Sequence, residues 1–212
     1  MKKLFSLFFL FLSLSSFSNS ADSLKTDLKS LLQNPPKGYA DTILAKKYLD
    51  VVTFYFEDLN LDSAKKYLDS GFNYANKSKS NFLVNEFNLF YNTYYLYNSN
   101  LDTAITIASS VFENKPNLIA KATALSGIGN GYYFKGDYLN ALEYYLQGLE
   151  IEEQITPEKT NITYSNIANL YSNLGDAEKA IEYFRKCQTI EKANKDTLGL
   201  FVGFINFHNT FS

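Results

Sequence analysis

Cys187 and His208 are the one thiol and the one imidazole in 212 residues. They leave little material for nucleophilic catalysis, and they exclude both a disulfide framework and a zinc site rich in histidine and cysteine. His208 has no second histidine and no acidic partner at helical spacing, so neither a ligand set nor a base with its orienting group forms around it. Glu150, Glu152 and Glu153 gather carboxylates in one short stretch. A cation site built from oxygen ligands needs its carboxylates arranged about a turn, and this cluster reads instead as a solvated helix end. Paired-carboxylate catalysis stays formally open, but no Glu or Asp pair is placed in a pocket by the sequence. The expectation is a protein without catalytic activity, metal or cofactor. Asn76-Lys77-Ser78 and Asn161-Ile162-Thr163 match the glycosylation pattern, which matters only in a host that modifies it.

The composition points the same way. Apolar residues make up 46% and charged residues 20%, with Lys+Arg 20 against Asp+Glu 22 and a formal charge of -2, which describes a globular chain rather than a disordered or polyelectrolyte one. No basic field exists for nucleic acid. Arg185 is the sole arginine, which disfavours phosphate recognition by guanidinium forks.

Residues 1–20 read as an export leader. Lys2 and Lys3 form its charged start, Leu4 to Phe17 an apolar, serine-dotted core, and Ser18-Asn19-Ser20 the small residues that precede a cut before Ala21. The alternative is an uncleaved anchor, for which that core is short, since a spanning helix needs about twenty residues. A lipid-anchored form would need a cysteine just after the leader, and the only one is Cys187. The mature chain is therefore expected outside the cytoplasm, periplasmic or otherwise extracytoplasmic, meeting the membrane only through an uncleaved leader or a missing C-terminal region.

Beyond the leader the apolar residues recur at three-to-four spacing and nowhere alternate for long, which predicts helix throughout. Pro35-Pro36, Asn98-Ser99-Asn100, Pro116, Gly136-Asp137, Pro157 and Gly175-Asp176 break the pattern. The predicted helices are 22–33, then pairs at 39–57 and 61–77, 80–97 and 101–114, 117–134 and 138–154, 160–173 and 177–193, with a last helix at 196–211. The pairs repeat. Gly129-x-x-Tyr132-x-x-x-Gly136-Asp137-Tyr138-x-x-Ala141-Leu142-x-x-Tyr145 is matched by Ala168-x-x-Tyr171-x-x-x-Gly175-Asp176-Ala177-x-x-Ala180-Ile181-x-x-Phe184. Weaker copies carry Tyr55, Leu61, Ala64 and Leu68, then Tyr95, Leu101, Ala104 and Ala108. Small residues let two antiparallel helices approach closely, here Gly129 facing Ala141 and Ala168 facing Ala180. Gly136 and Gly175 suit the positive φ that closes a first helix, and Asp137 and Asp176 can cap the second. Tyr132, Tyr145, Tyr171 and Phe184 are expected to fill the space between hairpins, whose exposed faces require stacking into a solenoid.

On these residues the chain resembles the tetratricopeptide repeat family, closely over 122–193 and less closely over 39–114. The resemblance implies an all-α, right-handed solenoid of four helix pairs: a leader at 1–20, an N-terminal helix and linker at 21–38, two degenerate repeats at 39–115, two further repeats at 116–194, and a terminal half-repeat helix at 195–212. Val52 and Asn92 stand where the family has a small residue, and Leu59 and Ser99 where it has the turn glycine, so the earlier units are expected to pack less regularly. Cys187 falls where Gly71 and Gly148 occur in other repeats and reads as a buried packing residue.

In this family the first helices of the pairs line the concave face. Carried onto this chain, that register implies Thr93, Asn130, Asn169 and Asn209 in one row, Leu96, Tyr97, Tyr133 and Phe134 below it, and Ser126 and Ser165 one turn earlier with Asn166 beside them. The asparagines could exchange hydrogen bonds with the backbone of an extended or helical peptide while the aromatic residues give apolar contact. The alternative is that asparagine is frequent in this sequence and these are merely solvated. Lysines of the family's carboxylate clamp are replaced by Ser126 and Ser165, so capture of a free C-terminal carboxylate by that device is not expected. The resemblance implies a protein or peptide partner. It extends more loosely to exported bacterial arrays, including the sensory regions of histidine kinases and transcriptional regulators. The last helix, with Leu198, Leu200, Phe201, Val202, Phe204, Ile205, Phe207 and Phe211, is apolar nearly all round, which predicts self-association or docking on another protein.

Overall fold

In the computed structural model, residues 21–114 and 116–194 are described. Among them are nine α-helices and no strand: α1 (Ala21–Gln33), α2 (Ala40–Glu57), α3 (Leu61–Lys77), α4 (Asn81–Tyr97), α5 (Leu101–Glu113), α6 (Leu118–Lys135), α7 (Tyr138–Ile155), α8 (Asn161–Asn173) and α9 (Ala177–Ala193). A 3-10 turn, Pro157–Lys159, precedes α8. The expected leader, the helix at 196–211 and residues His208 and Asn209 lie outside the described residues.

Four turns of one design set the repeat. At each, the residue after the left-handed one returns its N–H to a tyrosine carbonyl five residues back: Asn60 to Tyr55, Asn100 to Tyr95, Asp137 to Tyr132 and Asp176 to Tyr171, at 2.9, 2.9, 3.0 and 2.9 Å. The left-handed residue itself donates three residues back, completing a Schellman motif that satisfies two orphan carbonyls. Gly136 and Gly175 take this position at φ 79° and 80°, and Leu59 and Ser99 take it at 53° and 57° without glycine's freedom. Asn60, Asp137 and Asp176 then cap the next helix by accepting from the backbone N–H three residues on.

Ala64, Ala104, Ala141 and Ala180 are all fully buried where each second helix meets its partner. A β-carbon on Gly129 would lie 2.7 Å from the Tyr145 ring and 3.3 Å from the Ala141 carbonyl oxygen, so this hairpin closes only because none is there. The expectation of looser early repeats fails for the first of them and holds for the second, whose pair α4/α5 is the most sparsely packed of the four. The α2/α3 pair is packed along as much of its length as α6/α7, with Val52 fully buried. Asn92, 4% exposed, turns its amide to donate to the Ala104 carbonyl at 2.9 Å. A polar side chain thus fills the notch that glycine leaves open in the third repeat, and its hydrogen bond offsets its burial.

The interior changes along the stack. Near α1 it is built from large residues, Leu24, Leu44, Tyr48, Phe56, Leu68, Leu83 and Phe87 among them. Its middle mixes small residues, Ala104, Ala108, Ala120, Ala122 and Ala124, with Val111, Leu125 and Ile128. A second cluster of Tyr145, Leu149, Ile167 and Leu170 follows. Helix α1 covers the first repeat through Leu24 and Leu28, each side chain stabilising by about 1.5–3 kcal/mol when fully buried. Lys47 holds it from the side at 3.1 Å from Asp27.

Candidate functional site

Helices α2, α4, α6 and α8 make one layer of the solenoid. Neighbours in it touch directly: α2 with α4, α4 with α6, and α8 with α6 through a side-chain hydrogen bond. Their shared inner face carries the candidate residues.

Asn130 is half-buried on α6, and its Oδ1 accepts from the Tyr145 hydroxyl at 2.6 Å. One turn on, Tyr133 accepts from Asn173 Nδ2 at 2.9 Å, which bridges α6 to α8. The Tyr133 ring stands edge-on to Phe134 at 5.6 Å and tilted to Tyr138 at 5.7 Å. Asn169 lies half-buried on α8, its amide nitrogen enclosed and without a hydrogen-bond partner. Ser165 and Asn166 are partly exposed on the same helix. Tyr97 packs at the edge of the first core cluster and Leu96 is buried beneath it. Burial raises the hydroxyl pKa of Tyr97, Tyr133 and Tyr145, the last well above its ordinary value, so all three stay neutral across the physiological range.

One expected residue does not serve the face. Ser126 is 3% exposed and faces α7, where a β-carbon on Gly148 would stand 3.4 Å from its hydroxyl oxygen. The absence of a side chain at Gly148 lets the neighbouring helix close over it. Thr93 is partly exposed on α4, and its hydroxyl donates to the Leu89 carbonyl of its own helix, 3.1 Å away. Part of the surface of Asn130, Tyr133 and Phe134 on α6, of Asn169 on α8, and of Tyr97 and Thr93 on α4 stays exposed. Asn173 belongs with them and was not anticipated, although it sits four residues beyond Asn169, the spacing that keeps a helix face. Gly127 and Gly131 were missed as well. A β-carbon on Gly127 would stand 2.7 Å from Asn92 Oδ1, and one on Gly131 would overlap Ile105 Cγ1, so these glycines seat α6 against α4 and α5.

Elsewhere the side chains resolve into structure. Cys187 is buried, as a packing residue should be, and its thiol donates to Glu191. Asn161 is buried, so its glycosylation pattern is inaccessible in the folded chain, whereas Asn76 is exposed. Glu150 and Glu153 are exposed, as expected of a helix end. Glu152 is not; burial raises its carboxyl pKa against an opposing hydrogen bond from Thr163. Burial and the hydrogen bond to Glu153 push the Tyr164 hydroxyl up to about 12. Among the described residues no group of three or more His, Cys, Asp or Glu could hold a metal ion, and no helix is long and apolar enough to cross a membrane.

Residues 120–193 match the family model described as Tetratricopeptide repeat. That segment, residues 120–193, carries the tetratricopeptide pattern. Solved structures extend the likeness over most of the chain's length. BtubC (BKLC) from P. vanneervenii aligns with 90% of this chain and 81% of its own, at TM-score 0.73 and 13% identity. A Rap protein complexed with Competence and Sporulation Factor aligns at TM-score 0.77 and 16% identity, covering 86% of this chain and 51% of the Rap chain. A signal-transduction ATPase with a tetratricopeptide repeat sensor, from Pyrococcus horikoshii, aligns at TM-score 0.69 and 20% identity over 89% of this chain and 30% of that one. The chain thus spans about half of the Rap protein and less than a third of the ATPase. At such identities the likeness is one of fold. No curated protein matches in sequence. Together these give the described residues the fold of an all-α tetratricopeptide-repeat solenoid.

Proposed function

We propose that this protein is exported and works by binding rather than catalysis, gripping a peptide or protein segment along the inner face of α4, α6 and α8. The observation that carries the reading is the pair Asn130 and Asn169, at corresponding positions of consecutive repeats, with Tyr133 and Asn173 joined at 2.9 Å one turn below. Amides at that repeat suit an extended main chain, whose groups also recur at fixed intervals. The Rap structure, complexed with Competence and Sporulation Factor, supports the reading by analogy of fold.

A pull-down from the exported fraction tests it, with wild type compared against the double variant Asn130→Ala, Asn169→Ala. Loss of the partner from the variant, at unchanged helicity by circular dichroism, is the expected result; equal recovery rejects the asparagines as determinants. N-terminal sequencing of the exported protein is expected to begin at Ala21, and a Met1 start would remove the cleaved-leader part of the proposal.

A second reading, a sensory region of a signalling protein such as a histidine kinase or transcriptional regulator, is favoured by the likeness to an ATPase whose repeats form a sensor. Reading the genome past codon 212 separates the two: an output domain in frame supports the second and a stop codon the first.

A further inference from the structure

The two edges of the solenoid are unlike. Helices α2, α4 and α6 run parallel as neighbours in one layer, so their first turns lie at one edge and the hairpin turns at the other. On the first edge, large apolar side chains stand in water at each step of the stack: Tyr39 and Ile43 at the start of α2, Phe82 at the start of α4, Leu118 and Ile119 at the start of α6. Leu32, at the end of α1, joins them. Single exposed apolar residues are ordinary, but a row that recurs with the repeat marks a contact surface. Tyr39 is the extreme case. Its φ of 50° is a left-handed position that glycine would hold at less cost, and the residue is 87% exposed.

Charge separates the edges too. Residues 34–43, 74–84 and 110–121, which lead into α2, α4 and α6, set Lys37, Lys77, Lys79, Lys115 and Lys121 against Asp41 and Glu113. Among the described residues neither Lys37 nor Lys79 stands in an ion pair. At the hairpin-turn edge Glu57, Asp58, Asp62, Asp102 and Glu178 are exposed. Lys25, Lys135 and Lys179 there each stand beside a carboxylate, 3.7, 2.6 and 3.4 Å from Asp22, Asp102 and Asp176. An anionic surface therefore attracts one edge and repels the other, which fixes an orientation. Acidity also ends the row, because residues 150–164, leading into α8, set Lys159 against Glu150, Glu152, Glu153 and Glu158.

Apolar side chains interleaved with lysines suit the interface of a bilayer. The rings and aliphatic chains enter the headgroup region while the lysines keep their ammonium groups at the phosphates. An acidic protein could pair the lysines, but it would need a shape matched to side chains set on successive helix ends. A fluid lipid surface needs no such match.

We infer that this edge, from Leu32 to Ile119, docks the protein on the surface of a membrane carrying anionic phospholipids, with the acidic turns facing away. The docking edge is separate from the inner face and does not depend on the binding proposed there.

Co-sedimentation of the exported protein with vesicles tests it, comparing phosphatidylcholine alone with phosphatidylcholine containing about one third phosphatidylglycerol. Binding is expected only with the anionic vesicles, weakening about tenfold or more between ~0.05 and ~0.5 M NaCl as the lysines are screened. Phe82→Ser with Ile119→Ser should weaken it about tenfold, and Lys37→Glu with Lys79→Glu by as much, at unchanged helicity. Leu139→Ser removes a 73% exposed side chain from the opposite edge and should bind like wild type. All variants share one N-terminus, so lipid binding through the leader would be indifferent to them. Binding that both double variants leave unchanged, equal binding to neutral vesicles, or none to either would overturn the inference. So would a photo-cross-linker at position 82 that, in the exported fraction, forms its adduct with protein rather than with lipid.

Discussion

The joint between the second and third repeats and the joint between the third and fourth are built in opposite ways. At the first, Gly127 and Gly131 strip side chain from α6 so that Asn92 and Ile105 can enter, and α6 lies close along both α4 and α5. At the second, tyrosines occupy the space. Tyr145 is buried against Gly129 and Asn130 of its own hairpin and belongs to the cluster that holds Ile167 and Leu170, Tyr133 reaches α8 through Asn173, and backbone contact between α6 and α8 is sparse. A close joint buries small residues. The other joint is spanned by a hydroxyl and an amide, Tyr133 and Asn173, and the candidate residues Asn130 and Asn169 lie on the same two helices.

The largest expected effect lies at the close joint. Gly127→Val should lower stability by about 3 kcal/mol by driving into the Asn92 amide, read as a drop in urea midpoint. Adding Asn92→Ala should restore part of the loss, because the two side chains compete for one space; strictly additive losses would mean they do not. Within the hairpins, Ala141→Phe or Ala180→Phe should cost about 2–3 kcal/mol through overpacking, and an unchanged midpoint would count against the assigned contacts. At the spaced joint Tyr145→Phe removes one hydrogen bond to a half-exposed acceptor and should cost only about 0.5–1.5 kcal/mol. Turns offer a gain: Leu59→Gly and Ser99→Gly relieve left-handed strain of about 1–2 kcal/mol each, less the entropy glycine adds to the unfolded chain.

The smallest effect is in pH dependence. Burial raises the folded-state pKa of Glu86 and Glu152, so the folded chain holds protons that the unfolded chain has released. The stability linked to these groups is complete below the ordinary carboxylate pKa and is lost as pH rises through the raised folded value. Glu152→Gln should therefore raise the urea midpoint at neutral pH, with a difference that shrinks on acidification. A difference that grows on acidification would reverse the sign of the assigned shift.

Much of the fold was legible in spacing alone. The alanines at 64, 104, 141 and 180 and the glycine turns at 136 and 175 mark helix pairs because each type answers a steric demand that few others meet. Leu59 and Ser99 were legible only by their offset from these, since neither favours a positive φ. The site was less legible. Ser126 occupies a groove register, yet whether it faces a ligand depends on Gly148 of another helix, which no local pattern reports. Asn92 looked like a defect because its compensating acceptor, the Ala104 carbonyl, comes into reach only when the hairpin closes. Glu152 was misjudged among its solvated neighbours for the same reason, since its burial comes from tertiary packing.

Phe134 on the inner face and Leu146 on α7 are almost equally exposed, at 37% and 38%. Replacing each in turn with a photo-cross-linking amino acid and irradiating in the presence of the partner recovered by pull-down compares the two faces at matched accessibility. An adduct from position 134 and none from position 146 is the predicted result, and equal adducts from both, or one from 146 alone, would contradict an inner-face binding site.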